Sequence, residues 1–379
     1  MSELESALEQ TRRLLSIHDA KGALKILKPY KKSLKSKNAN NVILHQIFAE
    51  AYLEDGQLEK AYPLLTRACE LDTFGEQGGS EKFFILGQAT GGHDGVKLLF
   101  QGMENISKKA DNIIAQEQVE KIIDGLLTAI EIWMTDLCME ENAESQCEEL
   151  ISKAMEISEE QSPEVWSMLG SIRISQQRYR DACQAFEYSW KFFEIKKQQL
   201  QQAINLNQAP CHEEYMQLVQ PLLNLSKMCI EMGLYEVSMK ILVSIKDIDE
   251  DNLESCYLEG FTLYLMSKLE LFRQSHPEID LNTDNIYEFN EHFRELPLDL
   301  TNESVLDTIR EARLALSLSV KLAQNADSND DFVRELLEGI NEVLSELGGP
   351  LDDSELINIR KGDENVALED KDFEFEEEE

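Results

Sequence analysis

Across 379 residues the chain carries 36 Lys and Arg against 73 Asp and Glu, a net charge of −37, so a long polyanion meets repulsion over most of the surface and a basic partner fits far better. Its 8 Pro and 18 Gly are thinly spread and runs of alternating Val, Ile and Thr are lacking, which argues against a sheet fold and leaves helix as the dominant element. No segment approaches the ~18 apolar residues of a membrane span, and the charged start MSELESALEQTRRLL lacks the apolar centre of a secretion signal. The expectation is a protein of cytoplasm and nucleus with no membrane partner.

The acidity is not confined to the C-terminus. The first 70 residues hold 11 bases and 9 acids, the last 29 hold 3 and 13, and residues 71–350 keep a net charge of −29. Seven cysteines, Cys69, Cys138, Cys147, Cys183, Cys211, Cys229 and Cys256, are scattered without a C-x-x-C pair, as expected of reduced and mostly buried thiols.

In chain order, Leu4–Ile17 and Ala20–Leu34 form a degenerate helical pair, an N-terminal cap over 1–38. A clear hairpin follows, with Ala49 twelve residues before Ala61, Tyr52, Leu65 and Ala68 at helical offsets, and Gly56 in the turn. Phe84 and Gly87, then Val96, Phe100 and Met103, give a hairpin whose turn, Thr90 to Gly95, is about three residues short of a 34-residue template. Glu117–Cys138 and Ala143–Ile157 form the next, with Ile130, Trp133 and Leu137 at helical spacing.

The strongest motif is Trp166-x2-Leu169-Gly170 followed by Ala182-x3-Phe186-x2-Ser189, where small residues twelve apart let two helices cross closely. The same interval recurs from Ser226 to Ser238 around Gly233, and Gly260 lies one 34-residue repeat after Ser226. Between these units, residues 190–215 add a polar helical extension. The return helix for Gly260 waits until Glu303–Leu322, after an insertion at 271–300. Within it, Ile286, Phe289, Phe293 and Leu296 fit an amphipathic helix that either packs on its own repeats or closes over a partner. A capping helix over 330–348, N-capped by Asp330 or Asp331, ends at Gly348-Gly349-Pro350. The acidic tail 349–379 holds too little apolar surface to fold and is expected to be disordered.

These hairpins resemble tetratricopeptide repeats. The resemblance implies an all-α, right-handed superhelical solenoid of about seven helical hairpins over 1–348, in which the first helix of each pair lines the concave face. The candidate partner-binding residues on that face are Glu50, Glu54, Glu81, Phe84, Trp133, Asp136, Glu140, Glu141, Glu164, Glu231, Glu254, Tyr257 and Tyr264. Carboxylates with interleaved aromatics suit an extended basic polypeptide, through charge-assisted hydrogen bonds and cation–π contacts. A clamp for an acidic chaperone peptide needs cations along the same face, and the acids there argue against it.

Catalytic and cofactor motifs are thin. The six histidines (His18, His45, His93, His212, His276, His292) show no paired metal-ligand spacing, and Gly87-x3-Gly91-Gly92-x2-Gly95 lacks the Lys-Ser/Thr ending and preceding strand of a phosphate loop. A non-enzymatic protein without metal or cofactor is therefore expected. Lys21, Lys25, Lys28, Lys31, Lys32, Lys35 and Lys37 crowd an acid-free stretch. The favoured reading is a solvated helix face paired with acids of neighbouring repeats, against an import signal or phosphate patch.

More narrowly, Leu86-Gly87-Gln88 with Gly91-Gly92, the stretch Trp133-Met134-Thr135-Asp136-Leu137-Cys138 through Ala143-Glu144 to Cys147-Glu148, and the acidic Phe-containing tail resemble the fungal dedicated assembly chaperones of large-subunit ribosomal protein four. That resemblance implies capture of the newly made basic ribosomal protein as a monomer or one-to-one complex, shielding of its long basic loop, and escort to nuclear pre-60S assembly, with no direct nucleic-acid partner. A scaffold subunit of a larger complex is the alternative.

Overall fold

A computed structural model describes residues 3–109, 114–206, 211–326, 330–352 and 354–356. Among these, every regular element is a helix. Cα proximity divides the chain into two compact units, 1–168 and 169–379, the division falling inside one helix.

The first unit begins with α1 (Glu3–Leu15), α2 (Ala20–Leu27) and a 3-10 segment (Lys28–Lys35), followed by α3 (Val42–Glu54) and α4 (Leu58–Leu71). Next come α5 (Glu81–Thr90), α6 (Gly92–Lys109), α7 (Gln116–Met134) and α8 (Ala143–Ile157), and α9 (Pro163–Ser175) contains the division. Ala49 and Ala61 are fully buried at the α3–α4 crossing, packed with Phe48, Tyr52 and Leu65. The α5–α6 pair departs from expectation. Residues 92–95, read as turn, belong to α6, and only Gly91 separates the helices. The small residues at this crossing are Gly87 and Gly95, eight apart rather than twelve. A Cβ on Gly87 would lie 2.9 Å from the Gly95 carbonyl oxygen, so the two backbones touch with no room for a side chain.

The second unit continues with α10 (Tyr179–Asn205), α11 (Cys211–Gln217), α12 (Val219–Glu231) and α13 (Tyr235–Lys246). It ends with α14 (Leu253–Ser275), α15 (Ile286–His292) with a 3-10 turn (Phe293–Glu295), α16 (Leu306–Gln324) and α17 (Asp331–Glu346). The expected crossings are present. A methyl group on Gly170 would overlap the fully buried Phe186 ring, and the buried Ser226 and Ser238 hydroxyls bond each other at 2.9 Å. Gly260 faces Leu316 and Ala312, pairing α14 with α16 across the insertion. The architecture is all-α and tetratricopeptide-like.

The insertion packs on its own repeats. Ile286 and Phe289 are buried, Ile286 against Gly233, whose φ of +71° shapes the α12–α13 turn. Asn290 accepts from the Tyr235 hydroxyl at 2.9 Å and donates to the Glu231 carbonyl at 2.7 Å. Asp330 caps α17 by accepting from the Phe332 amide at 2.9 Å.

The expected disorder from 349 onward is corrected at its start. Arg313 donates to the carbonyls of Gly349 and Pro350 at 2.6 and 3.2 Å, the Leu351 amide donates to Ser317 Oγ at 3.0 Å, and Leu356 is buried. The remainder of the tail, with Phe373 and Phe375, lies outside the described residues.

Candidate functional site

In the first unit, the first helices α3, α5 and α7 place acids close together. Burial pushes the Glu50 carboxyl above its ordinary value, opposed by a Gln46 hydrogen bond and by Arg12, and Glu81 adds a like charge that raises it further. Glu81 in turn lies 3.7 Å from Lys121, which also holds Glu117 at 3.0 Å. Glu54 bonds His18 Nδ1 at 2.6 Å. Glu164, half-buried in the first turn of α9, accepts from Ser162 Oγ at 2.9 Å.

The loops at one end of this unit are knitted together. Asp136 Oδ2 accepts the Gly92 amide at 2.8 Å, satisfying one of the free N–H groups at the start of α6. His93 sits edge-on to the Trp133 ring at 5.5 Å, with its Nε2 3.6 Å from Glu140. Glu141 is exposed beside them, and Met139 is 94% exposed.

Two aromatic assignments in this unit need correction. Trp133 is only 5% exposed, on the buried side of α7 with Ala129 and Ile130 and with His93 set edge-on to its ring. Phe84 is a seam residue: a Cβ on Gly125 of α7 would lie 2.6 Å from its Cε1 and one on Gly102 of α6 3.2 Å from its Cζ, so the two glycines make its slot. Trp133 is buried and Phe84 only partly exposed.

In the second unit the aromatics are covered as well. Tyr264 is 1% exposed and donates to Glu346 Oε2 at 2.8 Å, while Phe293 from the insertion meets its ring at 6.1 Å. Tyr257 stacks on Phe261 at 5.8 Å and abuts Gly339 of α17. The stripe Tyr257, Phe261, Tyr264 and Lys268, at helical spacing along α14, is therefore the seat of α17 and the insertion rather than a groove. Glu254 is paired with Lys227 at 2.5 Å, whereas Glu231 is exposed at the end of α12. The structure thus leaves carboxylates on view and withdraws aromatics.

Two buried cations escaped the sequence reading. Lys82 is fully buried and donates to Asp72 Oδ2 at 2.8 Å and to the Gly79 carbonyl at 2.5 Å. Asp72 also accepts the amides of Glu76, Gln77 and Gly78 at 2.7, 3.1 and 3.0 Å, winding the 72–80 loop around the pair. Burial pushes the Asp72 carboxyl up, but the Lys82 and backbone hydrogen bonds outweigh it and hold the group below its ordinary value. Lys268, also fully buried, joins Glu346 at 2.7 Å and the Leu296 carbonyl at 2.6 Å, tying α17 and the insertion to α14. The available signal was register: Lys82 shares the buried side of α5 with Phe83 and Leu86, and Lys268 follows Tyr264 by one turn.

No helix of the described residues is long and apolar enough to cross a membrane, and no cluster of metal-ligating side chains occurs among them.

Comparison with known proteins bears on the departures from the repeat. Residues 251–372 match the family described as the ACL4 C-terminal domain, a span that takes in α14, the insertion, α16 and α17. A solved structure, "Assembly Chaperone of RpL4 (Acl4) (Residues 1-338)", superposes with a TM-score of 0.55 at 22% identity, covering 72% of this chain and all of that one. The chain is a tetratricopeptide-like protein resembling Acl4. Among curated relatives, one from Emericella nidulans named "Probable assembly chaperone of rpl4" is 29% identical over 69% of this chain, which spans 65% of the relative's length. Another of the same name from Schizosaccharomyces pombe is 23% identical over 82% of both chains. The Acl4 likeness therefore joins the matched C-terminal region to the repeats before it.

Proposed function

We propose that the protein is a dedicated, non-enzymatic chaperone that binds newly synthesised large-subunit ribosomal protein four, shields its basic extended loop and escorts it from the cytoplasm to nuclear pre-60S assembly. The observation that carries this reading is the net charge of −29 on residues 71–350 in a chain similar in sequence to relatives named for rpl4 assembly and in fold to the solved Acl4 structure. Carboxylates such as Glu50, Glu81, Glu141 and Glu231 neutralise client Lys and Arg, which keeps the client's basic segment from binding RNA indiscriminately. Glu50 has a specific part. Its carboxyl is already partly desolvated, so an approaching guanidinium finds an acceptor that has lost much of its competing water.

Binding of a basic ribosomal-loop peptide to the full chain, measured across a salt series, tests the reading. Tight binding at low salt that weakens steeply by several hundred millimolar is expected. Failure to hold the peptide at low salt, or salt-independent binding, overturns the electrostatic account.

A further inference from the structure

The lysine-rich stretch does not behave as expected from its sequence. Lys21, Lys25, Lys28, Lys31, Lys32, Lys35 and Lys37 are all exposed, and among the described residues none of them takes part in an ion pair with a neighbouring repeat. Lys31 is engaged otherwise, donating to the Tyr52 hydroxyl at 2.8 Å with its ammonium 5.4 Å over the ring. The other six stand in water.

Their arrangement follows from the backbone. Ala20, Ala23 and Leu27 bury one side of α2, which puts Lys21, Lys25 and Lys28 on the other at helical spacing. The 3-10 segment, with three residues per turn, then stacks Lys28 over Lys31 and Lys32 over Lys35. From Lys21 to Lys35 the row runs about 25 Å at ~1.5 and then ~2.0 Å per residue.

The two acids that flank α2, Asp19 in sequence and Glu54 beside His18, are each held by another group. No Asp or Glu occurs between Asp19 and Glu50 in the sequence. Asp19 accepts the Gly22 amide at 2.8 Å, and Glu54 is held by His18. Acid farther off is screened over about 8 Å at physiological salt, so the net −37 of the whole chain does not silence this face.

We infer that this face is a second binding surface, separate from the carboxylates, that takes the phosphate backbone of RNA without regard to sequence. Chemistry decides between RNA and an acidic protein. Protein interfaces are depleted in Lys and built on buried aromatic or apolar anchors, and this row presents lysine heads with Pro29 and Ser36 between them, while Tyr30 and Leu34 pack against the core. Lysine point charges at regular spacing suit phosphates, each contact releasing counterions. The summed charge therefore misleads: it argues against RNA over most of the surface, while the local field here attracts it.

The test uses the full chain and a fluorescent oligouridylate, with anisotropy read at a series of salt concentrations. Six unpaired lysines set a ceiling near −4 for the slope of log affinity against log salt, at about −0.7 per phosphate contact. The variant Lys25→Gln/Lys28→Gln/Lys32→Gln/Lys35→Gln is expected to lower affinity by at least about a hundredfold at about 50 mM salt and to flatten the slope by ~3. A control removing Lys97, Lys108 and Lys153, each already paired with an acid on its own helix, is expected to change it by less than about threefold. Circular dichroism establishes that both variants remain folded. Absence of RNA binding at low salt, or equal loss in the control, overturns the inference. Tighter binding of a polyglutamate of equal charge does so too, and assigns the face to an acidic protein.

Discussion

Lys82→Met tests whether the 72–80 loop hangs on a buried ion pair. The side chains are 0% and 4% exposed, so removing the cation strands a desolvated carboxylate. Breaking a buried pair from one side costs about 3–5 kcal/mol. Three backbone amides still bond Asp72 and Met fills most of the lysine volume, which places the expected loss near the lower bound, about 3 kcal/mol. In a body of this size that lowers Tm by roughly 6–12 °C.

The pH dependence gives the stricter check. In the wild type Asp72 titrates below its ordinary value of 3.8, so its contribution is complete at neutral pH and is lost as pH falls through the folded value. Without Lys82 two of the causes that hold the value down are gone, so the variant's folded value lies above the wild type's and its deficit at neutral pH shrinks as acid protonates the group. Urea unfolding of both proteins at pH 7 and near pH 4 should therefore show the gap narrowing. Cleavage at exposed Glu76 by a Glu-specific protease should accelerate in the variant. A loss below about 1 kcal/mol, or a gap unchanged between the two pH values, refutes the argument.

Gly170→Val drives a branched side chain into the immobile Phe186 ring and should destabilise by about 1–3 kcal/mol, read as a lower unfolding midpoint. Phe289→Ala empties a buried site under the insertion at an expected cost of about 3–5 kcal/mol, seen as faster proteolysis between Pro277 and Pro297. Thiol labelling of the native protein should modify exposed Cys138 and then Cys211 well before the other five. Burial pushes Cys69 up to about 12 and Cys183 up to about 11, so neither presents thiolate, and early labelling of either contradicts their burial.

The helix pairs were legible because a crossing writes itself into sequence as small residues at fixed separation, and Gly170 with Phe186 and Ser226 with Ser238 make that contact directly. The α5–α6 turn was misread for a physical reason. Gly91 and Gly92 have φ of +64° and +52°, the signature of a loop, yet the Asp136 carboxylate caps the next helix from forty-four residues away and lets it start at once. Tyr264 and Trp133 were placed on a binding face by position alone. What meets them, Glu346 of α17 and His93 of the preceding hairpin, is a tertiary fact with no local sequence signal. Lys82 and Lys268 carried the opposite lesson, since a charge in a core register marks a buried partner that sequence cannot name.

Withdrawing the aromatics changes the expected character of client binding. A cradle of exposed Trp and Tyr would hold a basic segment by stacking, and some affinity would survive high salt. A surface of carboxylates has no such reserve, because exposed pairs are individually worth about 0–1 kcal/mol and act mainly by steering encounter. Affinity must then come from many weak contacts or from the few acids that are partly desolvated, among which Glu50 stands out. Glu50→Gln should accordingly weaken a basic client more than Glu141→Gln, with the difference in the dissociation rate, whereas Glu141→Gln should slow association. Equal effects of the two substitutions, measured by stopped-flow mixing at matched salt, would show that diffuse charge alone does the holding.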